Sequence, residues 1–429
     1  MQGSRALAAL LGAPALLAVA LLLCGLGRPP PSLQRELEQR RRDLRLLSAR
    51  ARAPPARGLG CAAVRGATGV GWVGSGITKL VLGALLPPPS GQRVALKSVH
   101  GAGRDVSRCV RRHGHPDGCR RLATYKLLKE LVLLRSLRHP GVVKLHGQCY
   151  NRSLDPEMKV TTILELGTPL EMIQLLQTPW EERFKICLDL IQLLHYLAHS
   201  PLGSIALLDF QPRQFVLVDG VLKVTDLDDA SIEELPCQVD DDCKLEFPTK
   251  SFSLKCTAYG KCEGINEKMN LFNAYRYFFT YLLPHTAPLA LQPFLKDILN
   301  ATGELRYGVN ETLKAFQKVL HLYKSGLYLQ KKPSHLKEYV ALNVFHMDSE
   351  DYKCWLSYSN LGCMLSVHNA EEAAAICNSH PHCQRFIVTP KKTWTGRPLA
   401  LFQSNLTDLI LGGNMVAYVK GSAAQRESL

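Results

Sequence analysis

Apolar residues run from Ala6 to Leu26 behind Arg5, and the pattern then turns Pro- and Arg-rich to about residue 66. Residues 67–99 are Gly-rich and then β-branched, ending in Arg93-Val-Ala-Leu-Lys97-Ser-Val99. This predicts strands around a tight turn. Residues 100–120 read as a polar loop carrying Cys109 and Cys119, a candidate bridge. Leu127, Leu128, Leu131 and Leu134 recur at helical spacing and predict a helix over 121–137, stopped by His139-Pro140-Gly141. Strands are expected near 142–149 and 160–166, and helices over 169–178 and 181–199. Short strands fit 205–208, 215–218 and 221–225, with Asp219-Gly220 as a hairpin turn. Residues 265–330 are mostly helical in pattern. A β-rich part followed by an α-rich part predicts an α+β fold of two lobes with a cleft between them. No repeat of solenoid period is present.

The N-terminal run changes the picture of compartment. Gly25 and Gly27 are small residues placed for a cut before Arg28, so 1–27 reads as a signal peptide. It is also about long enough to be an uncleaved anchor or a transient membrane contact. Four sequons follow, at Asn151, Asn300, Asn310 and Asn405. The chain has 14 cysteines, among them Cys237, Cys243, Cys256 and Cys262 and the C-terminal Cys354, Cys363, Cys377 and Cys383. No C-x2-C pair supports zinc, so disulfides are expected in an oxidising compartment, with connectivity left open. The formal charge is +15, but it is uneven. Residues 28–57 carry nine Arg against Glu36, Glu38 and Asp43, a net +6. Basic and aromatic residues do not interleave as in a nucleic-acid reader, so no nucleic-acid partner is expected. The segment reads as a solvated, partly helical stem; a tether to acidic glycans or a membrane surface is the sharper alternative.

Phosphoryl transfer asks for donors around phosphates, a cation on them, a carboxylate-held metal, and a base near the incoming hydroxyl. Each is present in order. Gly74-Ser75-Gly76-Ile-Thr-Lys79-Leu-Val81 resembles a kinase glycine-rich loop, in which backbone N–H groups approach phosphates. Lys79 replaces the third glycine; it either puts charge over the phosphates or points to solvent. A run from Gly69 to Gly76 also fits, but Val81 lies 16 residues before Lys97, a normal interval for the hairpin. Val94-Ala-Leu-Lys97 resembles the lysine strand, and a lysine in an apolar strand requires a partner. Glu130 is that partner, ten residues before Pro140 on the following helix. Leu164 and Glu165 resemble the gatekeeper and hinge that hold adenine. Leu207-Leu-Asp209-Phe-Gln-Pro-Arg-Gln214 resembles the catalytic loop, and Val224-Thr-Asp226-Leu-Asp228 the metal-binding triplet, 17 residues apart from Asp to Asp. Asp209 would accept or orient the hydroxyl proton, Asp226 would hold the metal, and Gln214 would serve where kinases carry Asn. Surface aspartates in two turns would not explain that separation with an apolar hairpin inside it.

Three departures stand out. Leu207-Leu208 replaces His-Arg, which removes the usual partner of an activation-loop phosphate. Asp228 and Asp229 replace the triplet's Gly and the residue after it. No Ala-Pro-Glu element follows; Cys237 to Cys262 lies there instead, and its disulfides are expected to order the segment in place of phosphorylation.

Leu208–Gly220, Leu222–Ala230 and Asn273-Ala-Tyr-Arg-Tyr-Phe-Phe-Thr-Tyr-Leu-Leu-Pro-His285, with Thr393-Trp-Thr-Gly-Arg397, resemble the vertebrate lonesome kinases, secreted protein tyrosine kinases. The resemblance runs from about Gly74 to the C-terminus. It implies a bilobal kinase fold and transfer from ATP, with Mg or Mn, to tyrosines of secretory-pathway and extracellular-matrix proteins. It also implies passage through the Golgi lumen, secretion and a developmental role. The residues themselves do not select tyrosine over serine. The expected layout is signal peptide 1–27, stem 28–66, kinase domain 67–332 and a Cys-containing extension 333–429. Within the extension, Ala370–Cys377, Cys383 and Phe386-Ile-Val-Thr389 suggest one helix packed on strands by disulfides. Either a stabilising cap or an apple-type recognition module fits it. Two other function classes stay open. A secreted pseudokinase acting as a binding or scaffold protein is kept alive by Gln214, Lys79 and Asp228. A lectin-like or growth-factor-like ligand rests only on the C-terminal cysteines.

Overall fold

β1 (Thr68–Ser75), β2 (Lys79–Leu85), β3 (Arg93–Val99), β4 (Leu145–Asn151) and β5 (Lys159–Glu165) form one antiparallel sheet in the order β1-β2-β3-β5-β4. The architecture comes from a computed structural model that describes residues 29–51, 58–151, 159–329, 335–344, 363–404, 412–413 and 415–421. The signal or anchor segment 1–27, Cys354, Asn405 and the Asn151 side chain lie outside the described residues. The chain divides into two compact units. The first takes residues up to Arg138 with 142–167 and 224–229; the second takes 139–141, 168–223 and 230 onward. Mixed helix and strand meet the α+β expectation.

In the first unit the apolar helix Pro116–Ser136 packs on β3 and β5. Pro116 opens it, and His115 Nδ1 accepts the Gly118 N–H at 2.9 Å as its cap. Two expectations are corrected here. Residues 100–120 are helical over Arg104–His113 and from Pro116 on, because Val106, Val110 and Cys119 bury on one face and Gly114 ends the first helix with a left-handed backbone. The Arg-rich stem is helical as expected, over Pro31–Ala51, but it is docked. Its Arg residues are exposed, while Leu33, Leu37, Leu44 and Leu47 form an inward stripe and Leu33 is fully buried. Leu33 packs with Val106, Cys119 and Ala123, against Gly118, where a Cβ would lie 2.7 Å from the leucine Cδ2. A second close approach joins Leu59 to Gly147 of β4; a Cβ there would meet the Leu59 carbonyl at 2.0 Å. The Cys61–Cys149 disulfide fixes that contact, and Cys109–Cys119 joins the two helices as the candidate bridge required.

The second unit is mainly helical. Helices Trp180–Ala198, Ile265–Ala274, Gln292–Gly303 and Val309–Ser325 surround Phe184, Phe278, Phe279 and Phe316, all buried. Phe215–Val218 and Val221–Val224 flank the Asp219-Gly220 turn as expected. The cysteine-rich segment is a hairpin, Lys244–Phe247 with Lys250–Ser253, crossed by Cys237–Cys256 and Cys243–Cys262. C-terminally, five strands in the order Tyr339–Val344, Met415–Lys420, Arg385–Lys392, Pro398–Gln403 and Met364–Ser366 carry the helix Ala370–Ser379. Asn369 caps that helix through the Glu372 N–H, and Cys377–Cys383 ties it to the sheet. Cys363 is also disulfide-bonded.

Candidate active site

Lys97 sits on β3 and is buried. Its Nζ donates to Glu130 Oε1 at 2.7 Å and to the Thr225 carbonyl at 2.9 Å. Glu130 is fully buried on the helix Pro116–Ser136. Residues 224–229 enter this unit because the Val143 N–H donates to the Val224 carbonyl at 3.1 Å, beside the 142–224 bridge. That brings Asp226 Oδ1 within 3.7 Å of Lys97 Nζ.

Of its two expected placements, Lys79 does not take the one toward solvent. It opens β2, is 3% exposed and turns inward. Its ammonium donates to Glu130 Oε2 at 2.6 Å, lies 2.9 Å from Asp228 Oδ2, and contacts Asp226 Oδ1. Three carboxylates therefore interleave with two ammonium groups, a net −1 in a buried cluster. Register explains the placement. Val81 lies opposite Lys97 and Lys79 opposite Val99, so Lys79 projects from the same sheet face as Lys97. The Gly76–Thr78 turn is held too: Thr78 Oγ1 donates to Asp105 at 2.6 Å, and Asp105 accepts Lys126 at 2.8 Å.

The charges shape one another. Burial pushes Glu130 up, against Lys79 and Lys97. Burial would raise Asp226 as well, but Lys97 and Lys79 outweigh it and hold this carboxyl well below its usual range. Burial, and then the Asp226 charge, push Asp228 up to about 6. Burial would lower Lys79, yet Glu130, Asp226 and Asp228 hold its ammonium well above the ordinary value.

The remaining nucleotide-side candidates lie on the same sheet. Gly74 and Ser75 close β1 opposite Val81 and Leu80, and the Gly76 N–H donates to the Lys79 carbonyl at 2.8 Å across the turn. Leu164 is buried on β5 opposite Ala95, and Glu165 accepts the Lys144 N–H at 2.6 Å.

Asp209 and Gln214 belong to the second unit, apart from this cluster in the division of the chain. Asp209 follows the short strand Ala206–Leu207 and is half-buried. Its carboxylate accepts Gln211 Nε2 at 2.9 Å, Arg213 Nη2 at 3.3 Å and the Gln214 amide. Gln214 thus gives Asp209 an amide N–H and not its amide oxygen. Phe210, Phe215 and Phe278 pack ring on ring beneath.

Sequence reasoning missed Asn266 and Asn270. Asn270, buried on the helix Ile265–Ala274, accepts the Leu207 N–H at 2.8 Å and donates to the Ile205 carbonyl at 2.7 Å; Asn266 donates to the Ser204 carbonyl at 3.0 Å. They brace the backbone that presents Asp209. The available signal was a pair of amides one helical turn apart, at 266 and 270. Asn300 and Asn310 are exposed on their helices. No helix among the described residues is long and apolar enough to cross a membrane.

A family model described as the protein-kinase domain of FAM69 matches residues 124–303. The extracellular tyrosine-protein kinase PKDCC of Homo sapiens is 56% identical over 365 residues, which is 85% of this chain and 74% of that protein.

Proposed function

The chain belongs to the protein-kinase family of these relatives, and from that premise we propose that it transfers the ATP γ-phosphate to tyrosines of secretory-pathway and extracellular proteins. The observation that carries the reading is the buried cluster of Lys97, Glu130 and Asp226. Burying such charges costs several kcal/mol per ion, about 3 or more. Stability alone does not call for it, whereas a phosphate site does.

ATP and a divalent metal are used by kinases of this family generally. The residues present fit such an ion: carboxylate oxygens of Asp226 and Asp228 already converge on one cation, the Lys79 ammonium. Hard oxygen donors suit Mg or Mn. When bound, the ion neutralises and orients phosphate oxygens. Asp226 is the ligand we assign first. Lys97, oriented by Glu130, offers its ammonium to phosphate oxygens. Gly74, Ser75 and Gly76 supply backbone donors, with Val81 beside them. Leu164 and Glu165 line the adenine side. Asp209, held by Gln211, Arg213 and Gln214, orients the acceptor hydroxyl and takes its proton.

Tyrosine as acceptor, and an extracellular place of work, are carried over from the relative's name. The paired cysteines and the four sequons at Asn151, Asn300, Asn310 and Asn405 agree with a route through the Golgi lumen. We assign residues 67–332 to the kinase domain and 333–429 to the extension. A secreted pseudokinase is the second reading, and Lys79 among the carboxylates favours it.

The test uses protein purified from mammalian medium, labelled ATP and a tyrosine-containing protein mixture. Wild type should label tyrosines, read by mass spectrometry, and Asp209→Ala and Lys97→Met should each lose about 100-fold or more. Equal signal from all three would decide for the pseudokinase; label on serine alone would remove the tyrosine assignment.

A further inference from the structure

The two departures on either side of the nucleotide site, Lys79 and Asp228, are one feature in space. Lys79 stands where the glycine-rich loop ordinarily ends in glycine, and Asp228 stands where the metal triplet ordinarily ends in glycine. Their side chains meet at 2.9 Å. Asp228 would be costly without Lys79. Without Lys79, three buried carboxylates would share only Lys97, a net −2; without Asp228, the cluster would be neutral. Together they leave the −1 of a cluster built from Lys97, Glu130 and Asp226 only.

The position of the added ammonium matters more than the sum. Its Nζ is bonded to Asp226 Oδ1 and faces Asp228 Oδ2, the oxygens that fit a divalent ion. An ammonium seated on those oxygens competes with a divalent ion for them and repels it at that distance. Lys79 also has somewhere to go. It is the first residue of β2, directly after the Gly76–Thr78 turn, on the edge that presents Gly74 and Ser75. Rotation of its four-carbon stem carries the charge toward that turn without moving the strand.

We infer that Lys79 is a resident counter-cation of the metal site, which excludes free divalent metal and moves to the phosphates when metal and nucleotide arrive together. The inference rests on the kinase reading. It makes Lys79 a positioning residue with two stations, and Asp228 the group that holds it in the first. Metal–nucleotide supplies what the exchange needs. The ion replaces the ammonium on the carboxylates, and the phosphates receive the ammonium, so no charge is left buried and unpaired.

The experiment measures binding, not turnover, on the full secreted chain. Free Mn2+ is titrated by electron paramagnetic resonance without nucleotide, and Mg–ATP analogue binding is titrated by calorimetry. Wild type should bind free Mn2+ weakly. Lys79→Gln should bind it about tenfold or more tightly, and should bind Mg–nucleotide about tenfold more weakly. Lys79→Arg, which keeps the cation, should retain wild-type exclusion of free Mn2+. Unchanged Mn2+ affinity in Lys79→Gln would overturn the inference. Should that variant fail to fold, Lys79→Gln/Asp228→Asn keeps the net charge and is compared with Asp228→Asn alone in the second titration: about tenfold weaker Mg–nucleotide binding than Asp228→Asn supports the inference, and equal affinity overturns it. A wild type that binds no Mg–nucleotide at all would instead remove the kinase reading itself.

Discussion

Asp228 shows how one substitution against the family pattern alters the chemistry of its neighbours. Its carboxyl is buried beside Asp226 and pushed up to about 6. In the unfolded chain it would titrate near the ordinary carboxylate range of about 3.9. Between those two values the folded protein holds a proton that the unfolded one has released. Stability from this group therefore falls as pH rises through that window and is flat above it. Asp228→Asn should remove that slope, read as the change in Tm between about pH 4 and pH 7; an unchanged slope would mean that Asp228 titrates normally. At this scale the sequence was informative where register could be counted. The interval from Val81 to Lys97 and the spacing from Asp209 to Asp226 placed the main charges on their elements. The same register put Lys79 on the face of Lys97, but nothing local says whether a strand-end lysine turns to solvent or inward. That choice is made by Asp226 and Asp228, roughly 150 residues away.

Elements were legible where periodicity was strong and obscure where polar residues mask an apolar stripe. The helix Pro116–Ser136 was expected over 121–137 from its leucines. Arg104–His113 was read as loop, because four arginines surround the few apolar positions that bury. The Arg-rich helix Pro31–Ala51 misled in the same way, through Leu33, Leu37, Leu44 and Leu47. The cysteine-rich hairpin was the expected replacement for a phosphorylation-ordered segment, and its crossed pairs enclose a small core of Leu245, Leu254 and Ile265. A loop of this length closed by a disulfide contributes about 3 kcal/mol. Cys243→Ser/Cys262→Ser should lower unfolding free energy by about that much. It should also expose the 237–262 segment to limited proteolysis while the helices stay protected; unaltered cleavage and activity would show that the disulfides do not order it.

Across the whole chain the sequence marked Thr393-Trp-Thr-Gly-Arg397 as distinctive, without a reason for it. The reason lies in packing inside the second unit. Thr395 Oγ1 donates to Glu181 Oε1 at 2.7 Å, Arg397 Nη1 donates to the Tyr323 carbonyl at 2.7 Å, and Arg397 Nη2 pairs with Glu372 at 2.6 Å. The guanidinium lies 3.9 Å over the Tyr323 ring. These contacts bind the C-terminal sheet to the helices Trp180–Ala198 and Val309–Ser325, which supports the cap over a free-standing recognition module. Breaking a buried pair by removing one partner costs about 3–5 kcal/mol, so Arg397→Ala should lose stability in that range, measured by urea unfolding. A loss below about 1 kcal/mol would mean that the pair behaves as a surface contact. Fold class and reaction class could be read from the chain because phosphoryl transfer needs few groups in a fixed order. The acceptor residue could not, because the groups that move the phosphate are the same whether the hydroxyl belongs to tyrosine or to serine. The most direct test is the rate of phosphate transfer from ATP by wild type and by Asp209→Asn, at equal bound Mg–nucleotide. Loss of the group that positions the acceptor proton should slow transfer by about 10²–10⁴-fold with nucleotide binding intact. Equal transfer rates at equal occupancy would contradict the account.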